Sequence, residues 1–219
     1  MTSFERDLKI PLWLWQYAEK VIRECNFDSS HDMQHFVNVY HYVLDIINHL
    51  NCPSLIEGIS CDDAIKILSY AGFCHDLIDS KYVDSIEYLE RLRKVFLENG
   101  YPEEYTEIIM FLIDNMSFSK QRKGVVIPER YRLAMHIVGD ADKLDAYRPE
   151  RVIAYQTTRK HDDPVMTRNW IKTILVSRVL EYKSKWLKTD YAKKLAGPLH
   201  EKVEQYVKEN LEDATLCDY

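Results

Sequence analysis

After Asp32, large apolar residues fall at Phe36, Tyr40, Val43, Ile47 and Leu50, at alternating spacings of four and three. That rhythm draws one stripe along one helix. The same rhythm returns at Ile86, Leu89, Leu92 and Phe96, and again at Tyr105, Ile109, Leu112 and Met116 after Pro102, which suits a first helical turn. Trp170, Ile174 and the stretch from Ser177 to Trp186 predict a long C-terminal helix. Val203, Tyr206 and Val207 predict a last one, opening after Gly197-Pro198. Residues 64–77 differ: Ile65, Ile67, Leu68, Ala71, Phe73 and Cys74 are apolar nearly all round, as in a helix buried in the middle of a bundle. Asp62 and Asp63 suit its N-cap and first turn. Strand signals are weak, since Val125-Val126-Ile127 is short and ends in proline. The pattern predicts an all-α single domain, with the segment from Ser117 to Pro128 as its most polar interruption.

Composition narrows the class. The chain has 219 residues, 46% hydrophobic and 29% charged, with only six glycines and seven prolines, which excludes a disordered or collagen-like chain. A net charge of −6 argues against a partner such as extended nucleic acid, which calls for a basic face. Five cysteines without a C-x-x-C pair do not make a disulfide framework, so a reducing, cytoplasmic setting is expected. The first twenty residues lack a signal-peptide apolar stretch, and no apolar run is long enough to span a membrane. The tryptophan and tyrosine content leaves room for a homo-oligomeric interface.

Candidate chemistry gathers at three places: Ser29-Ser-His-Asp-Met-Gln-His35, His75-Asp76 at the end of the buried helix, and Gly139-Asp-Ala-Asp-Lys-Leu-Asp-Ala-Tyr147. Imidazole with carboxylate suits divalent first-row metals, and carboxylates also admit Mg²⁺. Each place alone has an ordinary reading: a helix cap at His31 and His35, a chance dipeptide at His75-Asp76, a solvated acidic turn at 140–145. Their joint occurrence is what points to a metal site, because a His and an Asp ending an apolar helix are costly to bury unpaired.

Taken together, Asp28-Ser-Ser-His-Asp-Met-Gln-His35, Cys74-His-Asp-Leu-Ile-Asp-Ser-Lys-Tyr82, Asn115-Met-Ser-Phe-Ser-Lys120 and Gly139-Asp-Ala-Asp-Lys-Leu-Asp-Ala146 resemble the HD-domain metal-dependent phosphohydrolases. The likeness is to a small stand-alone subgroup of that family. It spans 28–147 by motif, and helices over 165–210 are similar to the subgroup's C-terminal extension. It implies an HD-type helical bundle with one divalent ion (Mn²⁺, Mg²⁺, Co²⁺ or Fe²⁺) held by His35, His75, Asp76 and Asp142. Asp140 and Asp145 are then neighbours, and His31 belongs to the preceding turn as a pocket residue. The family's acidic residue three positions after the His-Asp aspartate falls on Asp79, the expected catalytic acid–base group. Lys81, Ser117, Ser119 and Lys120 would border the substrate, with Arg122 and Lys123 as further cations in the polar loop.

The resemblance implies a hydrolase acting on a small phosphorylated compound, a nucleotide among the candidates. Two other readings stay open: a non-catalytic metal- or nucleotide-binding module, and an oxygenase of the dinuclear kind. Dinuclear relatives draw extra histidines from the region that here reads Asn115, which favours one metal. His136, on the apolar stretch from Leu133 to Val138, reads as a core histidine, and His161 as part of an exposed turn.

Overall fold

A computed structural model describes residues 9–50, 54–116, 124–158 and 163–217. All regular structure among them is helical: α1 Leu12–Glu24, α2 Met33–His49, α3 Cys61–Cys74, α4 Ser85–Glu98, α5 Glu103–Asn115, α6 Glu129–Asp145, α7 Pro149–Thr158, α8 Pro164–Ile174 and α9 Asp190–Asn210. No described helix is long and apolar enough to cross a membrane. Cys25, Cys61, Cys74 and Cys217 are free thiols.

The centre of the bundle is α2, which packs most extensively on α6 and α3, while α3 also packs on α5 and α6. Helix α3 is the all-round apolar segment, and Ala64, Ile67, Leu68, Ala71, Phe73 and Cys74 are fully buried. Its approach to α2 depends on Gly72. A Cβ there would stand 2.8 Å from a methyl of Val43, so any larger residue would push the two helices apart. This close crossing brings the end of α3 up against the first turn of α2.

Local signals explain the helix ends. Asp32 caps α2 by accepting from the His35 N–H, and Asp84 caps α4 by accepting from Ile86 and Glu87. At the end of α4, Gly100 takes a positive φ of 76° and the Tyr101 N–H reaches back to Phe96 O, the left-handed stop that glycine permits. The cap of α3 is Ser60, which accepts from the Asp63 N–H; Asp62 and Asp63 both lie inside the first turn, so the cap falls two residues before Asp62, where the sequence reading placed it.

The C-terminal region departs further from expectation. The last helix opens at Asp190, capped by the Thr189 side chain, and runs straight through Pro198. Proline marks helix starts because it lacks an N–H, but one missing bond in a twenty-one-residue helix is tolerated when the cap and the packing lie elsewhere. Upstream, the helix expected to run to Trp186 is α8, which widens into two π-helical turns, Leu175–Val179 and Tyr182–Trp186. The backbone N–H of Lys183 is turned outward to donate to the Tyr147 hydroxyl at 3.0 Å, tying this region to the end of α6.

Candidate metal centre

Four donor atoms converge where α2, α3 and α6 meet. They come from His35 in the first turn of α2, His75 capping α3, Asp76 just beyond it, and Asp142 in the last turn of α6. One atom from each lies within 4.8 Å of every other. His35 Nε2 stands 3.2 Å from His75 Nε2, 3.1 Å from Asp76 Oδ2 and 3.8 Å from Asp142 Oδ1. His75 Nε2 stands 3.2 Å from Asp76 Oδ2 and 3.5 Å from Asp142 Oδ1. Ligands about 2.1 Å from a common ion would be roughly 3.0–3.4 Å apart in octahedral or tetrahedral arrangement, a range that holds the three separations among His35, His75 and Asp76, while the two to Asp142 are longer.

The outer nitrogens decide which way each ring presents itself. His75 Nδ1 is 2.8 Å from Gly72 O, and a carbonyl can only accept, so Nδ1 carries the hydrogen. His35 Nδ1 is 2.7 Å from Asp145 Oδ2. Burial pushes the Asp145 carboxyl up, but the His35 hydrogen bond and charge outweigh it and hold it ionised, so Nδ1 again is the donor. Both Nε2 atoms therefore turn inward, the arrangement by which outer partners fix metal-binding imidazoles.

The field at this spot favours positive charge. Burial pulls the His75 imidazole down, yet Asp76 and Asp142 reverse the effect and raise its pKa to about 10. Burial pushes the Asp142 carboxyl up, but the His75 hydrogen bond and charge, with Arg151, hold it well below the usual range. Asp76 is held low against the same burial, first by His75. Surroundings that keep a proton on His75 are the surroundings in which a divalent ion displaces one.

His31 lies beside this group. Its Nδ1 contacts Ser30 Oγ at 2.6 Å and the Tyr82 hydroxyl at 3.0 Å, and its Nε2 faces Asp76 Oδ2 at 3.6 Å and Asp79 Oδ2 at 3.9 Å. His31, Asp76 and Asp79 form a second group whose donor atoms fall within 4.8 Å of one another, sharing Asp76 with the first. One oxygen of Asp79 already accepts from the Lys81 ammonium at 2.7 Å, and the other accepts from the Lys81 N–H at 3.0 Å. Lys81 also lies over the Tyr155 ring, 5.2 Å from its centroid. Ser117, Ser119 and Lys120 lie outside the described residues, as do Arg122, Lys123 and His161. His136 is half-buried on α6, and its pKa is lowered by burial.

The two other aspartates of α6 have separate tasks. Asp145 supports His35, and its second oxygen accepts from Asn38 Nδ2 at 2.7 Å. Asp140 faces away, accepting from the N–H groups of Lys188 and Thr189 and from the Thr189 hydroxyl, so it anchors the start of α9 to α6.

Sequence reasoning missed Arg151. It lies on α7, outside all four motifs, and its side chain is only 12% exposed. Its Nη2 is 3.0 Å from His35 Nε2 and 3.5 Å from Asp76 Oδ2, its Nη1 is 3.3 Å from Asp142 Oδ1, and its Nε donates to Ser30 O at 2.9 Å. Spacing carried no signal for it. Asp28 opens the first motif with no role implied by it, yet its carboxylate accepts from Ser30, Tyr82 and Thr158 and lies against His31.

No protein-family model matches the sequence, and no curated protein matches it either. Solved structures do. A protein from Lactobacillus plantarum aligns over 90% of this chain and 94% of its own, at 22% identity and a TM-score of 0.59. YpgQ of Bacillus subtilis aligns over 92% of this chain and 97% of its own, at 20% identity and a TM-score of 0.62. At these identities the likeness is one of fold, over about nine tenths of the chain.

Proposed function

We propose that the chain is a metal-dependent phosphohydrolase of the HD type, acting on a small phosphorylated compound, with nucleotides among the candidates. The observation that supports it most is the pair of inward Nε2 atoms 3.2 Å apart, flanked by Asp76 and Asp142, with both outer nitrogens already committed as donors. Two imidazoles and two carboxylates suit one Mn²⁺, Mg²⁺, Co²⁺ or Fe²⁺ ion and can leave positions open. A divalent ion bound there would supply a nucleophile at neutral pH and polarise a phosphoryl oxygen.

The chain's own groups do the rest. Asp145 and the Gly72 carbonyl fix the two rings. Asp79 lies beside His31, near enough to the centre to take up or deliver a proton at a reacting oxygen. Lys81 offsets charge on the substrate side, where Tyr155 supports it. The motif resemblance over 28–147 supports the phosphohydrolase assignment as well.

One observation favours a second reading, a binding module without turnover: Asp79 is paired through both oxygens with Lys81. An oxygenase would need a second ion, for which the group of His31, Asp76 and Asp79 would have to give up the Lys81 contact. Purified protein should be analysed for metal content and assayed for phosphate release on a panel of nucleotides and phosphate esters. Near one ion per chain with release, both lost in His75→Ala and Asp76→Ala, is the expected result. Metal without release on any ester identifies the binder, and two ions per chain the dinuclear centre.

A further inference from the structure

The guanidinium of Arg151 reaches three of the four donor atoms at once. Its contact with His35 is the decisive one. His35 Nδ1 lies 2.7 Å from Asp145, so Nε2 is the nitrogen that faces the centre, and Arg151 Nη2 stands 3.0 Å from it. A divalent ion held by the same nitrogen would stand about 2.1 Å from it and beside Asp76 and Asp142, the space into which the positive guanidinium is packed. Arginine and ion cannot both occupy it.

Where the guanidinium would go follows from α7. Tyr155, one turn beyond Arg151, carries Lys81 against its ring, and Thr158 donates to Asp28 beside His31. This helix therefore walls the side of the centre on which Lys81 and Asp79 stand. A planar fork retracted a few ångströms along that wall still borders the open side, where it matches the oxygens of a phosphate.

We propose that Arg151 is a two-position side chain: a tethered cation that competes with the divalent ion for His35, and, once displaced, a ligand for the phosphoryl oxygens of the substrate. The inference rests on the metal-centre reading above and adds a residue and a motion to it. It also makes the sign of an effect unusual. An outer residue that merely supports ligands costs about 10–100-fold in metal affinity when removed; a competitor raises the affinity when removed.

Equilibrium dialysis with Mn²⁺ alone, followed by inorganic phosphate on the Mn²⁺-loaded protein, reads both positions. Arg151→Met is expected to bind Mn²⁺ about tenfold more tightly, the effect of abolishing a parked state that leaves the competent one at roughly a tenth or less. It is expected to bind phosphate about tenfold more weakly, from the lost charge-assisted bonds. Weaker or unchanged Mn²⁺ binding overturns the proposal while leaving the metal centre standing. Failure of the wild-type protein to bind Mn²⁺ overturns both. A second measurement needs no variant and separates displacement from a simple change of charge. In ¹⁵N-labelled wild-type protein, one equivalent of Zn²⁺ should shift the Arg151 Nη–H resonances and speed their exchange with water. Resonances that stay where they were with Zn²⁺ bound overturn the proposal.

Discussion

Asp145 Oδ2 lies 2.7 Å from His35 Nδ1, a hydrogen bond between residues 110 apart in the chain. It joins the last turn of α6 to the first turn of α2, and it is wholly buried, with both side chains 0% exposed. Because His35 Nδ1 is held as a donor, Nε2 is the nitrogen left for a cation. Asp145→Asn replaces a charged acceptor by a neutral one and should lower Mn²⁺ affinity about 10–100-fold with His35 intact. Equilibrium dialysis checks this. Unchanged affinity would mean that packing alone orients the ring.

His31 and His35 stand four apart in sequence, but only His35 Nε2 is within 3.8 Å of His75, Asp76 and Asp142 together. His31 Nε2 comes no nearer than 3.6 Å to Asp76. His35→Ala should therefore abolish metal binding, and His31→Ala should retain substantial metal. Elemental analysis of the two variants decides it; equal loss in both would place His31 among the ligands.

Asp79 is the residue on which catalyst and binder part. If it moves a proton, Asp79→Asn should keep metal while turnover on a cleaved ester falls roughly 10²–10⁴-fold. If it serves only its pair with Lys81, turnover should hold and stability change by at most about 1 kcal/mol. Steady-state kinetics and a thermal melt on the same preparation separate the two outcomes.

Acid should weaken the turn before α2 in a way that identifies Asp28. Burial pushes this carboxyl up, but hydrogen bonds from His31, Ser30 and Tyr82 outweigh it and hold its pKa well below the ordinary 3.8. The folded state then binds fewer protons than the unfolded one near that pH. The stabilisation is present above the unfolded value and is lost as pH falls below it toward the folded value. At pH 7, Asp28→Asn should cost about 1–3 kcal/mol. Denaturation curves of the two proteins should draw together as the pH is lowered from 5 to 2, and a difference that stays constant would rule out this carboxylate as its source.

The apolar rhythm by itself determined the helical class and the position of most helices. A stripe such as Phe36, Tyr40, Val43 and Ile47 has one low-energy way to be buried, and caps such as Asp32 act within three residues of themselves. The four proposed ligands, His35, His75, Asp76 and Asp142, were legible through the resemblance of the motifs that hold them; the one local signal was the cost of burying a His and an Asp at the end of an apolar helix. Tertiary structure alone decided the rest. Pro198 is read locally as a start, but whether a proline begins a helix or lies within it depends on where the cap and the packing surface fall, here Thr189 and its contact with Asp140. The tasks of Asp140 and Asp145 were not legible: at helical spacings of two and three from Asp142, they turn to α9 and to His35, while Asp142 itself turns to His75 and Asp76. Arg151 was invisible for the same reason. Its partners lie 9, 75 and 116 residues away, and a contact that long in sequence leaves no local spacing to read, only a position in the folded bundle.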